Sequence, residues 1–156
     1  MKDTVKELEE IVEAYARLFA NIPEEEFSRK PLPNKWSKKE VLGHLIDSAQ
    51  NNHRRFIVSQ YETIPTKITY EQDFWVTASG YQTAKKEDII QLWALINQQI
   101  ARILATMSPI KYSRESDTGK QTVQLHSLQW LAEDYVKHMK HHINQMIPGS
   151  YDIVYT

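Results

Sequence analysis

Six histidines carry most of the chemical potential of this chain: His44, His53, His126, His138, His141 and His142. Cysteine is absent, so disulfides, thiolate metal sites and a cysteine nucleophile are excluded together. A metal ion would have to be held by nitrogen and oxygen. Three of the histidines crowd one turn in the run Tyr135-Val-Lys-His-Met-Lys-His-His-Ile-Asn-Gln145. Side chains three or four residues apart on a helix are neighbours, so such a pair can share one ion.

Helix geometry chooses among the three. On a wheel of about 100° per residue with Leu128 at zero, Leu128, Ala132, Tyr135, Met139, Ile143 and Met146 fall between roughly −20° and +60°. His142 then lies at about −40°, His138 at about −80° and His141 at about −140°. His138 and His142 flank the core face side by side, while His141 points toward solvent. Two imidazoles leave an ion under-coordinated, so a third ligand must come from another helix. His44 and His53 both lie on the second helical segment, and periodicity does not separate them.

The surrounding residues limit the mechanism. His-Glu-x-x-His is absent because Met139 follows His138, and the Glu-x-x-His repeats of di-iron bundles are also missing. No general base is evident, and no catalytic residue is assigned. Asp47, three residues after His44, and Asp134, four before His138, are candidates to orient an imidazole, although each reads more simply as a surface carboxylate. Of the four tryptophans, Trp93 and Trp130 read as core and Trp36 as a staple before a helix cap. Trp75 is the candidate pocket wall.

Four amphipathic segments must position these groups. Val5, Leu8, Val12, Tyr15 and Phe19 recur at helical spacing until Asn21, ahead of Pro23. Ser37 with Glu40 forms a capping box, and Val41, Leu42, Leu45, Ile46, Ala49 and Phe56 continue that helix to about Tyr61. Residues 62–83 form a long connection, of the kind that lets two bundle helices run parallel. The third helix runs from about Lys85 to Met107 on Ile89, Trp93, Ile96, Ile100 and Leu104. Lys111 to Gln121 reads as a turn or short hairpin, and the fourth helix runs from near Thr122 to Pro148-Gly149. With no convincing strand, the fold class is all-α, a four-helix bundle in one domain over residues 1–156.

Composition agrees with a globular chain. Hydrophobic residues make up 41% and charged residues 25%, enough apolar surface for a core without disulfides. A formal net charge of −1, with basic pairs scattered among acids, gives no reason to expect nucleic acid or an anionic membrane as partner. Met1 to Glu10 lacks the apolar run of a signal peptide, and no stretch approaches the ~20 apolar residues of a membrane span. The expected location is the cytoplasm.

Several short motifs resemble the DinB/YfiT-like family of metal-dependent four-helix-bundle proteins. They are Lys35-Trp36-Ser37-Lys-Lys-Glu40-Val-Leu-Gly43-His44-Leu-Ile-Asp47, Tyr70-Glu-Gln-Asp73-Phe-Trp75 and His138-Met-Lys-His141-His142-Ile-Asn-Gln145. Their order and separation match over most of the chain. The resemblance implies a bundle with a long crossover between helices 2 and 3, and a divalent metal held by His44, His138 and His142. The choice of His44 over His53 rests on the resemblance alone. Zinc is the first expectation, with nickel, iron and manganese as alternatives. Three imidazoles and an open position suit catalysis on a bound water or an exogenous thiol. The implied activity is that of a small-molecule hydrolase or thiol-S-transferase, the alternative being a bundle that binds metal or a small ligand without turnover. The expected partners are a small-molecule substrate, with a low-molecular-weight thiol among the candidates, and a second copy of the chain in a homodimer.

Overall fold

The apolar stripes read from the sequence become four long helices in a computed structural model that describes residues 1–155. The domain expected over 1–156 ends on Thr156, which lies outside the described residues. Helix α1 spans Lys2–Asn21, α3 Lys38–Val58, α5 Lys86–Thr106 and α6 Leu128–Met146. The short helices α2 (Glu24–Ser28) and α4 (Gln72–Ala78) lie in the connections. A three-residue hairpin, β1 (Glu115–Asp117) with β2 (Leu125–Ser127), precedes α6. The long helices enclose Leu8, Phe19, Phe56, Trp93, Leu104, Tyr135 and Met139, all essentially inaccessible to water. Among the described residues no helix is long and apolar enough to cross a membrane.

Polar ties fix the helix ends. Ser37 Oγ accepts from the Glu40 amide at 3.1 Å, and the Glu40 carboxylate accepts from the Ser37 amide at 2.9 Å, completing the expected capping box. At the far end of α1, Lys86 Nζ donates to the carbonyls of Ala20 (3.0 Å) and Ile22 (2.7 Å). A buried ammonium there offsets the partial negative charge where a helix leaves its last carbonyls unpaired. In the core, Tyr135 Oη donates to Asn97 Oδ1, so a polar pair amid apolar packing is satisfied.

Several boundaries depart from the sequence reading. The second long helix stops at Val58, three residues before Tyr61, and the connection to α5 contains α4 and a 3₁₀ turn at Tyr81–Thr83. The last long helix begins at Leu128 and not near Thr122, because Ser127 Oγ caps it by accepting from the Trp130 amide and residues 125–127 pair with β1. Leu125 falls at about +60° on the helix wheel, so the strand happens to continue the apolar phase of α6. The hairpin anticipated within 111–121 is correspondingly shifted. Its loop is tied by Asp117 Oδ1, which accepts from the amides of Gly119 and Gln124, both at 2.9 Å.

The crossover is anchored where Tyr81 lies flat against α3. A β-carbon at Gly43 would stand 2.1–2.7 Å from three atoms of the Tyr81 ring, so only glycine admits that ring. From there Tyr81 Oη donates to Asp47 Oδ1 at 2.6 Å, one turn further along α3. Gly43→Ala should lower stability by about 1–3 kcal/mol through overpacking, read as a lower urea midpoint at unchanged m. A wild-type midpoint would show that Tyr81 does not need that seat. Because the core is made mainly by apolar side chains from four helices, chelator-treated protein should keep its helical circular dichroism. Collapse to coil on chelation would refute this.

Candidate metal centre

Helices α3 and α6 run antiparallel. The first half of α3 meets the second half of α6 through the histidines, while Phe56 near its end packs on Tyr135. The Ser37 cap sets the start of α3, so His44 projects two turns in, toward α6. From α6, His138 and His142 are one turn apart on the same face and meet it. The Nε2 atoms of His44 and His138 are 3.3 Å apart, and those of His138 and His142 are 3.1 Å apart. All three ligand-capable nitrogens lie within 4.8 Å of one another. For metal–nitrogen bonds of about 2.0–2.1 Å, a tetrahedral ion places its nitrogens about 3.3 Å apart and an octahedral one about 2.9 Å. The spacing fits either.

The protonation pattern also fits an ion. Gln145 Oε1 can only accept, so its 2.8 Å contact with His142 Nδ1 puts the proton on Nδ1 and leaves Nε2 with a lone pair. His138 Nε2, between two other ring nitrogens, has at most one proton to offer both. Three converging lone pairs are the donor set that a divalent cation satisfies. Burial pushes His44 down to about 4, helped by His142. His138 is driven well below the ordinary 6.5, first by burial and then by its three histidine neighbours. Burial also lowers His142, against the opposing pull of its Gln145 bond. The three imidazoles are therefore neutral near pH 7.

His53, His126 and His141 stay outside the cluster. His53 is half-buried further along α3, and His126 stacks on Trp130 at 3.8 Å. His141 is not simply turned to solvent as its wheel angle suggested: its Nε2 accepts from Gln145 Nε2 at 3.2 Å, and its ring leans on Tyr155. Gln145 thus bridges His141 and His142, a role visible beforehand only in its spacing of three and four from them.

The carboxylates and tryptophans need revision. Asp47 is fully buried, and burial pushes its carboxyl up to about 6 against the opposing Tyr81 bond. Its Oδ2 and His44 Nδ1 are both buried without a partner. Asp134 is half-buried and accepts from Tyr155 Oη, so neither acid is a plain surface group. Trp93 is core as read, but Trp130 is 45% exposed. Trp36 takes the place expected of Trp75: its ring packs on His44 at 5.1 Å and lines a cleft of about 580 Å³ that reaches His142. Trp75 packs instead on Tyr70.

Known proteins resemble this chain in sequence and fold. YfiT of Bacillus subtilis (strain 168) is 28% identical over 111 residues, a match covering 69% of this chain and 60% of that protein. The chain thus spans less than two thirds of that relative. A solved structure of YfiT from Bacillus subtilis, described as a probable metal-dependent hydrolase with an unusual four-helix bundle topology, superposes with a TM-score of 0.82 at 22% identity. That superposition covers 93% of this chain and 82% of the other. A mutant of a mycothiol-dependent maleylpyruvate isomerase gives 0.67 at 11% identity, covering 91% of this chain and 59% of that one. Both likenesses establish the bundle. The family model of the DinB superfamily matches residues 7–146, nearly the whole chain, and the protein belongs to that superfamily.

Proposed function

We propose that this protein is a metal-dependent enzyme acting on small molecules, a hydrolase or thiol-S-transferase, with His44, His138 and His142 holding one divalent ion. The observation that carries this reading is the convergence of three neutral imidazole nitrogens beside a cleft. Zinc suits three nitrogens best, and nickel, iron or manganese suit the same donors. When bound, an ion with an open position supplies Lewis acidity, making a nucleophile of water or a thiol available at neutral pH. The names of the relatives, a metal-dependent hydrolase and a thiol-dependent isomerase, support that range of chemistry.

The chain's own residues would orient and bind. Gln145 holds the His142 ring, and Trp36 holds that of His44. Trp36 and Val41 give the cleft an apolar wall, and its volume suits a small substrate. Asp73, at the start of α4, lines the cleft with no cationic partner among the described residues.

Loaded protein should carry about one divalent ion per chain by elemental analysis. His44→Ala, His138→Ala and His142→Ala should each lose it, whereas His53→Ala and His141→Ala should retain it. Metal kept in His44→Ala but lost in His53→Ala would overturn the assignment. Chelator-sensitive turnover in a screen of thiols with electrophiles, and of small esters and amides, would separate transferase from hydrolase.

Acid should act on the metal-free protein in two opposed ways. His44 binds its proton less readily folded than unfolded, so stability present above pH 6.5 is lost as pH falls toward 4. Asp47 does the reverse: its folded carboxyl is protonated first, so stability is gained as pH falls from 6 toward 3.8. Each shift corresponds to about 3 kcal/mol, and the two nearly offset. Asp47→Asn removes the second contribution alone. Its urea midpoint should therefore fall more steeply than wild type between pH 6.5 and 4. Parallel profiles would mean that Asp47 does not titrate in that window.

A further inference from the structure

His138 faces two ways. Besides meeting the other imidazoles, it lines a second, smaller cavity of about 260 Å³ that shares no lining residue with the large cleft. That cavity lies between α3, α6 and the hairpin, and its walls are polar where a bundle interior is normally apolar. From α3 it receives Ser48, Asn52 and Arg55, which share one helical face, and from α6 Asp134; Tyr70 and Tyr155 close it.

Arg55 is only 9% exposed. Its Nε and one terminal nitrogen donate to the Ile68 carbonyl, and the other terminal nitrogen donates to Asn52 Oδ1 at 3.2 Å. Those bonds leave N–H groups unused, and Asp134 acts on the charge only across a distance. Among the described residues no carboxylate comes within 4.0 Å of the guanidinium. Asp134, in the same cavity, accepts only a 3.3 Å bond from Tyr155 Oη and has no cationic partner among the described residues. Burying one charge without a counter-charge is costly, and this cavity holds one of each sign, held apart. A ligand carrying both complementary charges satisfies both groups at once.

We propose that this cavity binds the zwitterionic head of an α-amino acid moiety, its carboxylate on Arg55 and its ammonium on Asp134, with the side chain directed toward His138. An anion alone would meet Asp134 unfavourably, and a cation alone would meet Arg55, so the cavity discriminates against both. Burial disfavours the charged forms of Arg55 and Asp134, and the ligand's two charges reverse that effect. The assignment rests on the proposed metal site only for the direction of the reactive end; the head-group pocket stands on Arg55 and Asp134.

The test uses the full chain, as isolated and after chelation, titrated by calorimetry and NMR with L-alanine, propionate and ethylamine. These differ only in which charge they carry. L-Alanine should bind saturably, about tenfold or more tighter than either singly charged analogue. Arg55→Gln and Asp134→Asn should each weaken alanine by a similar factor, and Asp134→Asn should erase the preference over propionate. Arg55 also braces the Ile68 carbonyl, so Asp134→Asn supplies the decisive comparison if Arg55→Gln does not fold. Absent saturable alanine binding, propionate binding as tightly as alanine, or alanine affinity unchanged in Asp134→Asn would each overturn the proposal. Elemental analysis of the same samples keeps the two readings apart. Both variants should retain metal, and chelated wild type should still bind alanine even where the metal assignment fails.

Discussion

The antiparallel contact between α3 and α6 takes ring nitrogens out of water and turns them toward one another. Imidazoles in water share their protons with the solvent; here the solvent is replaced by Trp36, Tyr155 and the rings themselves. Desolvation lowers all three, and the small separations keep any one from accepting a charge that its neighbours would oppose. The result is a set of lone pairs made available by packing, with no carboxylate ligand required. The Ser37 cap, the Gly43 seat for Tyr81 and the apolar stripe of α6 all serve this alignment, since a shift of one residue along either helix would separate the nitrogens.

Much of this was legible in the sequence, for identifiable reasons. Caps, prolines and 3.6-residue stripes mark the four long helices, since each arises from interactions within a few residues. The pairing of His138 with His142 followed from the wheel because α6 has one wet face and one dry face. The choice between His44 and His53 did not, and the structure explains the failure. Residues 39–49 of α3 are all buried, so the helix lies against neighbours on every side and periodicity carries no direction. Trp130 sits at about −160° on the wheel, away from the core, in keeping with its exposure. The roles of Trp36, Gln145 and Tyr81 depend on contacts between distant segments or on rotamers, and no local pattern announces them.

Polar groups are concentrated on the side of α3 that faces α6, and this divides the bundle into two regions. Toward α1 and α5 the packing is mainly apolar, with the Asn97–Tyr135 pair satisfied within it. Toward α6 and the hairpin, Ser48, Asn52 and Arg55 are linked side by side along α3 and face Asp134 across open space. Cohesion comes from the first region, which allows the second to hold groups poorly suited to stability. Of the buried atoms without partners, His44 Nδ1 lies at the α6 contact, whereas Trp93 Nε1 lies on α5 within the apolar core.

The seat of Tyr81 on Gly43 has an evolutionary corollary. Space denied to one side chain is space occupied by the other, so these two positions, 38 apart along the chain, are a single steric unit. A lineage that acquires a β-carbon at position 43 must shrink or re-route the residue at 81, and the partner of Asp47 changes with it. Among homologues, then, positions 43, 47 and 81 should covary as a triplet, with glycine, an acid and a tyrosine inherited or lost together.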